Sequence, residues 1–316
     1  MISQHFGEAT HQQEWVPSKD ECMLLLRFEF GDAMSLINYF YPKRTIVSGL
    51  AGGLGNQMFQ YAAGRALASE FRWDLVLDTR LLHTQGSHTH RDYALDAYKV
   101  RAGVDGVPIS RLEGMRVLSE GEAHRGWPRR RKVKADLLLS GHWQSERYFL
   151  PIRKTLLKDF ALANEPSAYV GELAQRIRLS PNAVSVHFRR GDYVSNPNAA
   201  SFHGTCSIAY YHEAVRRLDQ KVGKSDLYIF SDDPEWVRSE VNLPGVFTVV
   251  DCERSTPAED IWLMSLCRHH IIANSSFSWW GAWLGEWAGL TIAPSTWFLD
   301  QSAAQSHIVP ERWERI

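Results

Sequence analysis

Ala-Val-Ser-Val-His-Phe-Arg-Arg-Gly-Asp-Tyr-Val, residues 183–194, decides how the chain is read. Ala183, Val184, Val186 and Phe188 predict a short buried strand. The strand runs into His187, Arg189, Arg190, Gly191 and Asp192, where polar and charged groups crowd together. In open α/β sheets, ligands bind just beyond the carboxyl ends of strands. Two adjacent arginines at such an end offer planar forks that fit phosphate oxygens. Gly191 permits a turn that a Cβ restricts. Asp192 is placed to orient a guanidinium or a substrate hydroxyl. The plain alternative is a strand end with a surface ion pair, and the Arg-Arg dipeptide alone does not separate the two readings.

Outward from that stretch, strand and helix patterns alternate. Toward the C-terminus, residues 226–230 predict a strand that ends in Ser231, Asp232, Asp233 and Pro234. A helix over 236–241, a strand over 246–250 and an amphipathic helix over 259–269 follow. Residues 271–273 form a short strand, and Asn274-Ser275-Ser276-Phe277-Ser278 turns into a helix over 279–287. The last strand covers 290–294.

Toward the N-terminus, a strand over 45–50 meets the glycine-rich turn Ala51-Gly52-Gly53-Leu54-Gly55-Asn56-Gln57 and a helix over 58–71. Asn56 is the expected N-cap of that helix. Such a turn lets a ligand approach backbone N–H groups at a helix start. Its spacing is Gly-Gly-x-Gly and does not fit a dinucleotide fingerprint. Strands at 75–78 and 137–141 and a mainly helical stretch over 151–180 complete the first half. The alternation argues for an α/β protein with mostly parallel sheets. The expected division is an atypical extension at 1–44, one domain at 45–180, and a second at 181–316.

Composition narrows the classes. The chain has 316 residues, 44% of them apolar, enough for sizeable cores. Lys+Arg 35 against Asp+Glu 36 gives a net charge of −1, which argues against a broad nucleic-acid face. The 12 tryptophans fit either a core or stacking on sugar rings. Cys22, Cys206, Cys252 and Cys267 form no Cys-x-x-Cys pair and too sparse a set for a disulfide scaffold, so they read as reduced thiols in a cytoplasmic protein. No apolar run approaches the ~20 residues of a membrane helix. Residues 1–20 lack a secretory core, and peripheral contact at the inner face of a membrane stays open. His88 and His90 have no third ligand nearby and read as loop histidines. The basic run Arg129, Arg130, Arg131, Lys132 and Lys134 reads as a solvated loop, with contact to an acidic surface or anionic lipid as the lesser alternative.

Three strand ends therefore carry the chemistry: 187–192, 231–233 and 274–278. As neighbours in one parallel sheet they line one crevice. The first brings cations, the second carboxylates that accept from a base or a sugar, and the third hydroxyls and N–H groups at a helix start. A nucleoside diphosphate satisfies all three. The competing reading is that Ser275, Ser276, Ser278 and Asp233 merely cap helices. The chain holds no Asp-x-Asp, the pair that commonly carries a divalent ion on a sugar nucleotide. The arginines then have to neutralise a departing diphosphate themselves, which predicts metal-independent group transfer without a cofactor.

At this level of detail the chain resembles the bacterial α-1,2-fucosyltransferases of glycosyltransferase family 11. The resemblance covers about residues 45–300. It rests on Gly52-Gly53-Leu54-Gly55-Asn56-Gln57-Met58-Phe59-Gln60-Tyr61, Gly141-His142-Trp143-Gln144-Ser145-Glu146 and His187-Phe188-Arg189-Arg190-Gly191-Asp192-Tyr193. His203-Gly204, Tyr210-Tyr211, Phe230-Ser231-Asp232-Asp233, Leu263-Met264-Ser265-Leu266-Cys267 and the run from Ala273 to Leu284 extend it. The resemblance implies a GT-B-type fold of two Rossmann-like domains facing across a cleft. It implies GDP-L-fucose as donor, a galactose-terminated acceptor, and inversion without a divalent metal. It places Arg189 on the β-phosphate with Arg190 beside it, and His187 and Asp233 near guanine or ribose, with Asp232 adjoining. Asn274, Ser275, Ser276, Phe277 and Ser278 belong to the diphosphate loop, and Asn56 and Gly55 reach the cleft from the first domain.

An inverting transfer usually requires a base for the acceptor proton. Asp192 and His203 are the candidates, with Glu146 as an outsider; a route without a strong base is the alternative. Two further readings remain: a fucosyltransferase of other linkage (α-1,6 or protein O-fucosylation), and a sugar- or nucleotide-binding module without catalysis. The loops at 83–96, 102–135 and 195–206 are expected to choose the acceptor, and a bacterial surface glycan is the expected use.

Overall fold

Thr45–Gly49 (β1) is a strand whose first four residues all sit inside the protein. The computed structural model describes residues 44–82, 91–191, 204–286, 288–299 and 307–316. Asp74–Asp78 (β2), Gly103–Val104 (β3), Arg116–Ser119 (β4) and Leu137–Ser140 (β5) complete a parallel sheet with the order β3-β2-β1-β5-β4. A second parallel sheet holds Ala183–Phe188 (β6), Asp226–Ser231 (β7), Phe247–Val249 (β8), His269–Ile271 (β9), Thr291–Ala293 (β10) and Glu314–Arg315 (β11). Its order is β11-β10-β9-β6-β7-β8. In both sheets the earliest strand lies inside and later strands are added on either side. That creates a topological switch point at the C-terminal end of β1 and another at the C-terminal end of β6, where doubly wound folds take ligands.

The helices connecting these strands are Leu54–Phe71 (α1), Ile109–Glu113 (α2), Glu120–Ala123 (α3), Arg153–Asp159 (α4), Ala168–Leu179 (α5), Ile208–Val222 (α6), Pro234–Glu240 (α7), Pro257–Leu266 (α8) and Ser276–Leu284 (α9). The α8 start is fixed by a capping box between Thr256 and Glu259. Residues 44–316 form one compact unit. The two sheets are joined where α1 meets α9. Phe59 of α1 packs against Trp279 and Trp280 at ring separations of 4.5 and 4.9 Å, and Phe149 stacks on Trp280 at 5.4 Å. Trp143, Trp279, Trp280 and Trp283 are fully buried, so these tryptophans serve the core and not a sugar platform.

Several elements differ from the sequence reading. The first helix starts at Leu54 with Gly53 as its N-cap, and Asn56 lies inside the first turn without capping it. The reason is local: Gly52 takes φ +81, which completes the turn earlier than the apolar pattern suggests. The expected loop at 102–135 holds β3, α2, β4 and α3, elements too short to show a period. The helical stretch at 151–180 is two helices, and β11 near the C-terminus carries no pattern of its own. Cys206, Cys252 and Cys267 are free thiols. Among the described residues no helix is long and apolar enough to cross a membrane. The extension at 1–43, Cys22, His88 and His90 lie outside the described residues.

Candidate active site at the end of strand β6

The parallel register pairs Phe188 of β6 with Ser231 of β7. The next residues along each strand, Arg189 and Asp232, are therefore side by side. Arg189 Nη1 meets Asp232 Oδ2 at 2.7 Å, and Asp232 Oδ1 accepts the Arg190 backbone N–H at 2.9 Å. One carboxylate thus holds the side chain of the first arginine and the main chain of the second. Gly191 completes this clasp, since a Cβ there would lie 2.6 Å from Asp232 Oδ2. The Arg190 guanidinium lies 3.7 Å from the centre of the Trp236 ring, and its Nε is 3.4 Å from Asp233 Oδ2. Arg190 is thus stacked on an aromatic face as well as paired, whereas Arg189 meets the Asp232 carboxylate.

Asp233 also caps α7. Its Oδ1 accepts the Trp236 N–H at 3.1 Å, and its own N–H donates to Ser231 Oγ at 3.0 Å. On the other side of β6, Ser275 caps α9 by accepting the Phe277 N–H, and the Ser278 hydroxyl donates to the Ser275 carbonyl. Capping is therefore realised at Asp233 and Ser275. Asn274 is buried; its amide donates to the carbonyls of Gly204 and Trp297 at 3.1 and 3.3 Å, and Cys206 Sγ approaches its Oδ1 at 3.6 Å. Asn274 ties three segments together beside the site.

His187 is buried on β6 with its ring 5.5 Å from that of Phe277. Burial, reinforced by the neighbouring Arg189 charge, pushes its pKa down to about 3, so the imidazole is neutral. Its Nδ1 has no hydrogen-bond partner among the described residues. The Tyr211 hydroxyl donates to the His187 carbonyl at 2.9 Å, and the Tyr210 hydroxyl donates to the Ile272 carbonyl at 2.7 Å. The tyrosine pair thus braces the ends of two adjacent strands from below.

The first half reaches the same place through α1. A Cβ on Gly55 would fall 2.6 to 2.8 Å from the backbone of Ser276 and Phe277, so the N-termini of α1 and α9 abut. Trp280 Nε1 donates to the Gly55 carbonyl at 2.9 Å and locks the junction. Asn56 sits beside it, its Oδ1 accepting from Gln144 Nε2 at 2.9 Å. Gln57 and Gln60 are buried; they bind the main chain of residues 51, 52, 92, 94 and 141, which fixes the glycine turn. Glu146 accepts from Trp283 Nε1 at 2.9 Å and pairs with Arg312 at 2.6 Å. Both its oxygens are engaged in joining the halves.

The structure brings Arg189, Arg190, Asp232, Asp233 and His187 together at the end of β6 and β7, and Asn274 to Ser278, Gly55 and Asn56 at the α1–α9 junction. Asp192 and His203 lie outside the described residues. Sequence reading missed Trp236, whose signal was an aromatic residue three positions after a helix-capping aspartate. It also gave no role to Gln57, Gln60 and Gln144, which a pattern of apolar residues cannot rank. Two guanidiniums and a helix N-terminus beside one strand end are suited to a polyanion, and the flanking carboxylates to hydroxyl or N–H donors.

Residues 132–316 match the model of the glycosyl transferase family 11. An alpha-1,2-colitosyltransferase from Escherichia coli is 38% identical over 295 residues, covering 86% of this chain and 98% of that protein. A galactoside alpha-(1,2)-fucosyltransferase 1 from Leontocebus fuscicollis is 26% identical over 274 residues, covering 82% of this chain and 72% of that one. The structure of NodZ alpha-1,6-fucosyltransferase co-crystallized with GDP shares the fold, with a TM-score of 0.50 at 14% identity over 77% of this chain and 93% of that one. The fold is GT-B-type, as the resemblance implied.

Proposed function

The chain belongs to glycosyl transferase family 11, and on that premise we propose that it transfers L-fucose from GDP-β-L-fucose to the 2-hydroxyl of a terminal galactoside, with inversion and without a divalent metal. The observation that carries the proposal is the arginine pair at the end of β6, with Arg190 stacked on Trp236 and Arg189 paired with Asp232. The acceptor oxygen attacks C1 of the sugar as the C1–O bond to the β-phosphate breaks. The electron pair leaves with GDP, and the acceptor proton passes to Asp192, to His203 or to water. Negative charge grows on the departing phosphate, and fixed guanidiniums stabilise that charge best. Arg189, released from Asp232, takes the β-phosphate, and Arg190 lies beside it. Asp232 and Asp233 then face guanine or ribose, and Ser276 and Phe277 lie at the diphosphate.

The similarity to a colitosyltransferase supports a second reading of the donor. Colitose is fucose without its 3-hydroxyl, so the same machinery serves either sugar. GDP release should be followed with GDP-fucose and with GDP-colitose, each with and without lactose, with and without EDTA, and the product linkage assigned by NMR. Turnover that needs lactose, survives EDTA and gives an α-1,2 linkage supports the proposal. Donor binding without GDP release on any galactoside, or a different linkage, sinks it. The glycan served in the cell is proposed to be a surface polysaccharide, with the enzyme at the cytoplasmic face.

A further inference from the structure

The stretch 124–135 contains Arg125, Arg129, Arg130, Arg131, Lys132 and Lys134 and no acidic residue. All six are exposed, and among the described residues none forms an ion pair. The remainder of the chain is different: with a total of −1, removal of these six leaves it at −7. The backbone that carries the cations is also tied down. At one end Trp127 stacks on Trp143 at 5.6 Å and its indole N–H donates to the Tyr148 carbonyl at 3.3 Å. At the other end Val133 is buried. Between them the Lys132 and Val133 N–H groups close a turn on the carbonyls of Arg129 and Arg130.

We propose that this platform docks the protein on a bilayer that carries anionic phospholipid. A backbone already tied down loses little further freedom when its cations, none of them ion-paired among the described residues, meet a charged plane, and the acidic remainder is repelled by it, so the molecule is oriented as well as held. The same features disfavour other partners. The Trp127 indole is packed against Trp143 and Tyr148 and so unsuited to stacking on nucleotide bases, and the other ring of the stretch, His124, is already stacked on His307. No side chain inserts, so the attachment is electrostatic and falls steeply with salt.

The test is co-sedimentation of the full chain with vesicles of phosphatidylcholine alone and with vesicles of equal parts phosphatidylcholine and phosphatidylglycerol. Binding only to the second, lost in high salt, is expected. The triple variant R130Q/R131Q/K132Q should bind about a hundredfold more weakly, from about fivefold per charge near an anionic surface. A control with the same loss of charge elsewhere, K158Q/K224Q/R238Q, should bind as the wild type does, and unfolding temperatures should show that both variants fold. Equal binding to both vesicles, or equal loss in the control, would overturn the proposal.

Discussion

Replacing Gly55 by alanine tests the contact on which the site depends. Gly55 is the second residue of α1, and an added Cβ would sit 2.6 Å from the Ser276 carbonyl carbon, 2.7 Å from Ser276 Oγ and 2.8 Å from the Phe277 nitrogen. Two of these atoms are backbone, so relief requires the two helices to part by roughly 0.6–0.8 Å to reach ordinary contact distance, and overpacking of this kind costs about 1–3 kcal/mol. A separation of that size also forfeits a quarter or more of the dispersion well between Phe59 and the Trp279 and Trp280 rings. Against this, alanine in a helix gains about 0.5–1 kcal/mol over glycine. The net loss is about 1–2 kcal/mol, or a fall in melting temperature of about 1.5–3 °C at this size. Gly171 on α5 is the matched control, because nothing lies within 4 Å of its added Cβ; Gly171→Ala should stabilise by about 0.5–1 kcal/mol. Differential scanning calorimetry of the three proteins decides. GDP binding by calorimetry should also weaken in Gly55→Ala, because the α9 start moves. A Gly55→Ala protein as stable as the Gly171→Ala one, with donor affinity intact, would refute the apposition of α1 and α9.

Other outcomes follow from the same geometry. Arg189→Lys keeps the charge but loses the planar fork, and kcat should fall by about a hundredfold or more, the size of effect seen on removing one transition-state donor. Unchanged kcat would remove Arg189 from the diphosphate. Trp236→Leu takes away the face under Arg190, and donor KM should rise about fivefold, about 1 kcal/mol of cation–π contact, with Trp236→Phe restoring most of it. Acid should destabilise the fold through buried histidines. His187 and His270 are both pushed down to about 3 by burial. Each therefore stabilises the folded state fully above the unfolded pKa of about 6.5, and that contribution is lost as pH falls toward 3, at about 1.4 kcal/mol per pH unit. Asp260, raised to about 6 by burial, acts in the opposite sense between 6 and 3.8. Urea titrations at pH 6.5 and 5 should show net proton uptake on unfolding, and the His187→Gln protein about one proton less. An identical pH slope in that variant would contradict a neutral buried imidazole.

The division between what was legible and what was not follows from range. Apolar runs such as 183–188 announce strands by themselves, because a buried strand needs side chains of that kind on both faces. Alternation of such runs with helix patterns was enough for a parallel α/β architecture, and charged residues just past a run marked a ligand end before any contact was known. Short elements such as β3, β4 and β11 left no trace, since two to four residues carry no period and are held by their neighbours' hydrogen bonds. Asn56 was misread as a cap because capping preference is local, while the start of α1 is set by Gly52 at φ +81 and by the approach of α9.

Residue order alone puts two arginines at the end of a buried strand, with a pair of aspartates and a serine-rich helix start at two other strand ends. How the two arginines differ is a matter of packing. Strand register sets Asp232 against Arg189, and the start of α7 sets Trp236 under Arg190. Packing also decides that Glu146 and much of the tryptophan content serve the joint between the halves. Residue type fixes what a side chain can bind, but its partner is fixed by the backbone that arrives beside it from elsewhere in the chain.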